Sequence, residues 1–171
     1  MLGNLMMRHE GKCFYGLPDG DIVRMEGYTT LDEDVSPEEY ARKYVDCKSQ
    51  TVDVVGYNTV MNFEFDRFVD NLVHDDMVDL YERKVIGTSA RRDIYYVDFT
   101  HPVEGGYWTS KITCSVIMGG KGASTEAMKY TGALKGAEEP VFGVAKISAP
   151  TNGNPDNVEK ITFEETDVSD L

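Results

Sequence analysis

Basic residues are scarce in this chain of 171 residues. Lysine and arginine together number 17 against 30 aspartates and glutamates, so the formal net charge is −13 and the sequence pI is near 4.6. Proteins that hold a nucleic acid backbone neutralise its phosphates with lysine and arginine. The composition therefore argues against a nucleic-acid-binding protein, and solubility through self-repulsion is the simplest interpretation of the acidic excess.

Cysteines and long apolar runs are also rare. The three cysteines, Cys13, Cys47 and Cys114, are odd in number and scattered, so we expect no disulfide framework and synthesis in a reducing cytosol. The apolar runs fall far short of the ~20 residues of a membrane span, and the first residues lack the basic-then-apolar order of a signal peptide. The sequence predicts one soluble domain over residues 1–171, with no membrane contact.

No pattern of catalytic or metal-binding residues stands out. Gly119-Gly120-Lys121-Gly122 lacks the spacing and the Ser/Thr of a phosphate-binding loop and is typical of a glycine turn. The histidines (His9, His74 and His101) and the cysteines form no closely spaced pair, as a zinc site requires. Adjacent acids such as Asp75-Asp76 and Glu138-Glu139 point in different directions and are expected on solvated faces. We therefore predict no catalytic residue, no metal and no cofactor.

Turn and cap signals predict a hairpin and a first helix in the N-terminal third. Strands over residues 12–17 and 21–27 flank Pro18-Asp19-Gly20, where proline and glycine favour a tight turn. Ser36-Pro37-Glu38-Glu39 matches a helix start, with Ser36 as cap and Glu39 completing a capping box. The apolar side of this short first helix would consist of Tyr40, Ala41, Tyr44 and Val45.

Two clear periodicities follow. Between Thr51 and Asp66 the period is two, with Met61, Phe63 and Phe65 on the core side and Asn62, Glu64 and Asp66 on the polar side. The main helix is predicted from about Asn71 to Val85, capped by Asp70 or Asn71 and ended by Gly87. The residues predicted to pack its apolar side against a sheet are Val73, Met77, Leu80 and Tyr81.

The remaining sequence is rich in predicted strands. One strand runs from Tyr107 to Met118, with Cys114 and Val116 on its apolar face and Thr109 in a set suited to water. Further strands are predicted over MKYTGALKG, where Tyr130 and Leu134 face the core, over Val141–Ile147, and near residues 158–163. Gly143 is expected where a backbone approaches closely or packing is weak.

The stretch from Tyr44 to Asp98 resembles the middle of a siphophage-type major tail protein, the tail tube protein. The shared features are Tyr44-Val45-Asp46, the Gly56-Tyr57 step, the strand Met61 to Asp66, a helix before Gly87, and the strand Ile94 to Phe99. The likeness extends to about Ser148. Asp46-Cys47-Lys48-Ser49 departs from the small Gly/Ser-rich turn expected there.

The resemblance implies a mainly β (α+β) fold, a tail-tube-type β-sandwich or barrel with one main helix outside and long loops or terminal arms. It also implies homohexameric rings stacked into a tube around a tape-measure protein, with terminator and distal tail proteins at the ends. DNA would pass through the lumen without specific binding. The expected location is the virion tail, after assembly in the host cytoplasm. The acidic excess acquires a sharper interpretation, because carboxylates lining a pore repel phosphates.

Residue roles follow by position in this pattern. Glu64 and Asp66 are predicted to face the lumen, and Arg91-Arg92 to form ion pairs between subunits or, more simply, to be a surface pair. Residues 1–10 would be an N-terminal arm, and residues 149–171 an acidic extension or arm, with a solvated tail as the alternative. Other interpretations are a terminator or distal tail subunit of the same fold, or a small β-rich enzyme or ligand-binding module.

Overall fold

Nine antiparallel strands and one α-helix make up the part of the chain that the computed structural model describes, which is residues 3–123, 126–148, 160–167 and 169. The predicted mainly β fold with one α-helix is thus confirmed. The strands are β1 (Gly11–Gly16), β2 (Ile22–Arg24), β3 (Tyr28–Arg42), β4 (Thr51–Asp66), β5 (Arg91–Val103), β6 (Gly106–Ala123), β7 (Met128–Gly136), β8 (Val141–Ile147) and β9 (Lys160–Glu165). The helix α1 spans Leu72–Glu82, and short 3-10 turns occupy Arg8–Glu10 and Gly87–Ala90.

The strands form one continuous sheet in the order β3-β4-β7-β6-β5-β1-β2-β9-β8, and β8 also pairs with β6. This last pairing closes six strands, β6-β5-β1-β2-β9-β8, into a barrel. Strand β6 makes the junction, since residues 107–111 pair with β8 whereas residues 114–123 pair with β7. The fold is therefore a closed barrel from which a four-stranded layer, β3-β4-β7-β6, extends.

Two hydrophobic cores correspond to these two parts. Phe14, Tyr95 and Val97 point into the barrel with Ala145 and Ile161. The larger core lies between α1 and the layer. Its members include residues from β4, α1, β5, β6 and β7: Met61, Phe63, Phe65, Val73, Met77, Leu80, Ile94, Cys114, Val116, Tyr130 and Leu134. Central strands thus bury both faces, as Phe14 and Tyr15 illustrate on β1.

Several local predictions are confirmed. The turn at Pro18-Asp19-Gly20 joins β1 to β2, with Gly16 paired to Ile22 and Gly20 in the left-handed region at φ 96°. Strand β4 has the predicted bounds, and its residues 61, 63 and 65 are buried. At Gly143 a Cβ atom would lie 2.2 Å from the Glu164 carbonyl oxygen, so the close backbone approach predicted there is real.

The first predicted helix is wrong. Ser36, Pro37, Glu39, Tyr40 and Ala41 lie in β3, and Tyr44 and Val45 lie in the turn after it. Pairing with β4 overrides the local capping signal, for Pro37 lies opposite Tyr57 and Ala41 opposite Val52. Proline is tolerated because β3 is the edge strand of the sheet.

The main helix is shorter than predicted. It begins after the Asn71 cap, whose side-chain oxygen accepts hydrogen bonds from the backbone N–H groups of Val73 and His74, but it ends at Glu82. Lys84, at φ 52°, takes the left-handed position expected of Gly87, which instead opens a 3-10 turn at φ 69°. The backbone therefore leaves the helix before the glycine.

One further prediction on the strands is wrong: Thr109 is fully buried instead of facing water, because this half of β6 belongs to the barrel and its odd-numbered side chains point inward. The strand predicted near residues 158–163 corresponds to barrel strand β9, which pairs with β2 and β8. Of the predicted C-terminal extension, residues 149–159 lie outside the described residues. Among the described residues, no helix is long and apolar enough to cross a membrane.

Candidate assembly surfaces

The four-stranded layer has a polar face opposite α1. Glu64 lies on this face. Its carboxylate accepts a hydrogen bond from Thr29 Oγ1 at 3.0 Å and forms an ion pair with Lys129 Nζ at 3.2 Å. By the strand register Asp66 lies on the same face, and so do Asp32, Asp34, Lys129 and Lys135. Four carboxylates thus share the face with two ammonium groups. The sequence analysis did not place these two lysines on this face.

The opposite face of the layer carries α1. Val73 and Met77 are fully buried, Leu80 is nearly so, and Tyr81 is partly buried against Tyr130 in an edge-on ring contact. Tyr28 adds a hydrogen bond from its hydroxyl to the Met77 sulfur at 3.3 Å. The helix therefore covers one face of the layer, and no other described helix covers the polar face.

The two adjacent arginines differ in their surroundings. Arg92 binds the Asp76 carboxylate through two nitrogens, at 2.8 and 3.0 Å, and Tyr15 Oη donates to the same carboxylate at 2.6 Å. Burial and the nearby Asp76 raise the pKa of Tyr15 well above its usual range. Arg91 is more exposed and lies 3.7 Å from Glu138. The predicted pairing between subunits is therefore open to Arg91, whereas Arg92 is held within its own subunit.

His74 connects the main helix with the ends of β4 and β2. Its Nδ1 accepts from the Phe68 backbone N–H at 3.1 Å, and its Nε2 lies 2.8 Å from the Glu26 carbonyl oxygen. The ring stacks on Phe65 at 4.3 Å. Burial lowers the pKa of His74, so the imidazole is neutral and donates from Nε2. This histidine fills a structural role that the sequence analysis did not foresee.

The outer halves of β3 and β4 form a projecting hairpin, residues 35–59. Beyond the pairing of Val60 with Lys135, no third strand of the described chain flanks it. In register with the partly buried Leu31 and the buried Phe63, one face of the hairpin continues the core face outward. Its apolar members are Val35, Pro37, Ala41, Val52, Val54 and Tyr57. Val54 is 52% and Tyr57 68% exposed, so the part of the chain that the structure describes leaves this apolar sheet face largely uncovered.

The layer also has two open edges. Strand β3 is terminal in the sheet, so no described strand pairs with the outer side of its backbone over Tyr28–Arg42. The second edge lies on β6, where β5 pairs only as far as Ser115 and no described strand continues along that side of residues 116–123. Unpaired N–H and C=O groups on a strand edge are a template for pairing with another chain.

The residues considered above as possible phosphate-binding, catalytic or metal-binding groups make structural contacts. Gly119-Gly120-Lys121-Gly122 lies within β6, so the glycine turn predicted there is wrong, and Lys121 pairs with Glu82. Asp75 contacts Arg67 whereas Asp76 contacts Arg92, so these adjacent acids do point apart. Burial raises the pKa of the Cys13 and Cys114 thiols to about 12, which disfavours the nucleophilic thiolate. Within the described residues, no three His, Cys, Asp or Glu side chains are grouped to hold a metal ion.

No protein-family model and no curated protein matches this chain. Among solved structures, it resembles a chain from the tail of an empty GTA particle, determined by helical refinement with C6 symmetry. The TM-score is 0.55 at 10% identity, over 81% of this chain and 98% of that chain. A chain of the 6-fold symmetrised baseplate of the anti-feeding prophage gives a TM-score of 0.48 at 10% identity, over 82% of this chain and 97% of that chain. The first likeness shows a shared fold.

Proposed function

We propose that this protein is a structural subunit of a phage-type tail tube, in which six copies close into a ring and rings stack into a tube. The observation that carries the proposal is the pair of open edges on one four-stranded layer, at β3 and at residues 116–123 of β6. The fold likeness to a chain of a tail with C6 symmetry supports six copies. A siphophage-type tail is the finer assignment.

The strand directions suit repeated pairing between identical subunits. All neighbours in the layer are antiparallel, and the layer has four strands, so β3 and β6 run in opposite directions. The β6 edge of one copy then meets the β3 edge of the next as an ordinary antiparallel pair. Such a heterologous contact between two different edges closes into a ring when its rotation allows. Each subunit contributes its four-stranded layer to a continuous wall.

The polar face would line the lumen, with α1 on the outside of the ring. Asp32, Asp34, Glu64 and Asp66 outnumber Lys129 and Lys135 on this face. A lumen with excess carboxylates repels phosphate groups, so DNA slides through without adhering. A tape-measure protein would occupy the lumen during assembly, and terminator and distal tail proteins would bind the two ends. The finished structure would belong to the virion tail, after assembly in the host cytoplasm.

Electron microscopy and sedimentation of the purified protein test this proposal. We expect six-membered rings with a central hole, and tubes at high concentration. A protein that stays monomeric at all concentrations, including after prolonged incubation, would contradict the tail tube assignment. Rings that never stack would favour a terminator or distal tail subunit of the same fold.

Two proline variants test the closing edge directly. Consecutive strand N–H groups point to opposite sides, so one of Asp34→Pro and Val35→Pro removes an outward N–H of β3 and the other removes one that faces β4. Each variant therefore serves as the control for the other. We expect the variant with a near-normal melting temperature to lose rings. Rings formed by that variant would show that subunits do not close through β3.

A further inference from the structure

The two ends of the four-stranded layer carry opposite charge, each beside exposed apolar side chains. Strand β4 connects these ends, and its 16 residues span roughly 50 Å at about 3.3 Å per residue. One end is the tip of the projecting hairpin, residues 42–48. The other is the surface around the loop that leads from β4 to α1. We infer that the hairpin tip of one copy docks on the loop surface of a second copy in the next ring.

The hairpin tip is basic within an acidic protein. Arg42, Lys43 and Lys48 outnumber Asp46, for a formal charge of +2 over residues 42–48. None of the three forms an ion pair with an acid among the described residues; Arg42 lies over the Tyr40 ring, 5.4 Å from its centroid. Tyr44 and Val45 are exposed at the same tip. The tip thus combines free cations with apolar side chains.

The surface at the far end of β4 complements the tip. Its exposed apolar residues are Phe68, Val69, Leu72 and Met128. The Arg67 backbone N–H donates to the Met128 carbonyl oxygen at 2.9 Å, which brings the start of β7 beside the loop. We call this surface the loop patch. It lies at the base of α1, where Phe68 is fixed by its hydrogen bond to His74.

Carboxylates surround the loop patch. Asp70 and Glu126 belong to its segments and form no ion pair among the described residues, while Arg67 is paired with Asp75 at 3.2 Å. The patch therefore has unpaired negative charge where the tip has unpaired positive charge. Two different complementary surfaces at opposite ends of one subunit define a head-to-tail contact, and opposite charges fix its register and exclude wrong pairings. A second copy of this chain is the occupant that fits.

This inference rests on the proposed tube, so its test must separate ring closure from ring stacking. The variant Lys43→Glu/Lys48→Glu reverses the charge of the tip. We expect it to form rings and no tubes. The matched control is Arg83→Glu/Lys146→Glu, which reverses two exposed cations elsewhere and leaves tubes intact. Adding Asp70→Lys/Glu126→Lys to the tip variant restores opposite charges at the contact, and we expect tubes to return.

Crosslinking provides a readout that does not depend on counting tubes. Cys47 is exposed at the tip, whereas Cys114 is buried, so Cys47 can report what the tip touches. In the variant Val69→Cys, mild oxidation should link copies into a ladder of multimers. The control Glu104→Cys, on an exposed turn, should give no ladder.

The possible outcomes are distinct. If the wild type forms tubes and the tip variant forms them equally well, the docking site is wrong and the tail tube assignment stands. The same conclusion follows if Glu104→Cys gives a ladder equal to that of Val69→Cys. Absence of both rings and tubes in the wild-type protein would overturn the two together. Loss of rings in the tip variant would assign its cations to ring closure and also overturn this inference.

Discussion

The inner and outer halves of β3 and β4 have the same kind of sequence and opposite surroundings. In the inner half, Leu31, Phe63 and Phe65 alternate with polar residues, and α1 covers the apolar side. In the outer half, Val35, Val54 and Tyr57 continue the alternation, but they are exposed and no described helix or strand covers them. The apolar pattern therefore shows which face is to be covered, and does not show whether the same chain or another copy covers it.

This difference separates stability from assembly. A two-stranded ribbon is marginal in water without a third strand or a covering element, and a contiguous exposed apolar face indicates an interaction site. The inner half should then determine whether the subunit folds. The outer half should determine whether folded subunits associate.

The first and largest test compares a charge placed where α1 covers the inner half with a charge placed on the outer half. Met77→Asp puts a carboxylate at a fully buried position on the side of α1 that packs against the sheet, and we expect the free energy of unfolding to fall by about 4 kcal/mol or more. Val54→Asp, on the exposed hairpin, should change it by about 0.5 kcal/mol at most yet abolish assembly. Denaturant unfolding with electron microscopy measures both. Equal destabilisation by the two variants would contradict the comparison.

The second test concerns the buried ion pair in the body of the subunit. Arg92→Ala leaves the Asp76 carboxylate and its bond from Tyr15 without the cation, in a site where the Arg92 and Asp76 side chains are only 12% and 13% exposed. We expect a loss of about 3 kcal/mol. Arg91→Ala is the matched control and should cost about 0.5 kcal/mol or less, because its pair with Glu138 is exposed. Urea midpoints measure both, and similar losses would disprove the distinction.

Local signals in the sequence predict elements whose partners are near in the chain. Proline and glycine at residues 18–20 predict the β1–β2 turn, alternation predicts β4, and Asn71 is one of the two caps proposed for α1. These features depend on a few neighbouring residues. They survive in the structure because the tertiary contacts agree with them.

Long-range pairing explains the failures. Ser36-Pro37-Glu38-Glu39 has the local chemistry of a helix start, but the ladder with β4 outweighs one cap. The network of Tyr15, Asp76 and Arg92 joins residues 61 and 16 positions apart, and no periodicity records such contacts. Closure of the barrel by β8 on β6, which buries Thr109, is equally invisible in a strand read by itself.

The third test acts on the inner half alone, where β3 begins and β4 ends. His74 joins Glu26, just before β3, to Phe68, just after β4. Its pKa is lowered by burial, against the opposing effects of the Glu26 hydrogen bond and Asp75. In the unfolded chain the histidine has the ordinary pKa near 6.5, so below this pH the unfolded chain binds a proton that the folded chain does not bind. The free energy of unfolding should therefore fall as pH drops below about 6.5, until the lowered pKa is reached.

Unfolding between pH 7.5 and 5.5 measures this effect. His74→Gln should be less stable than the wild type at pH 7.5 and should lose most of the pH dependence. His101→Gln, which changes an exposed histidine, should keep the wild-type slope. A wild-type slope in His74→Gln would assign the effect to another group.

The smallest effect on folding is expected on the polar face, where the proposed function predicts a large effect on transport. Glu64→Lys/Asp66→Lys removes the exposed pair with Lys129, and we expect a change of about 1 kcal/mol or less in the free energy of unfolding. The formal charge of the face, from Asp32, Asp34, Glu64, Asp66, Lys129 and Lys135, rises from −2 to +2 per subunit. Tubes should still form, because the changed side chains lie away from the open edges.

Variant tubes should retain short double-stranded DNA at low salt and release it as salt rises, and tails built from them should deliver less DNA. Tubes of the neutral variant Glu64→Gln/Asp66→Asn should retain more DNA than wild-type tubes and less than tubes of the lysine variant. DNA retention equal to that of wild-type tubes would remove these two residues from the lumen and leave the stacked rings unaffected.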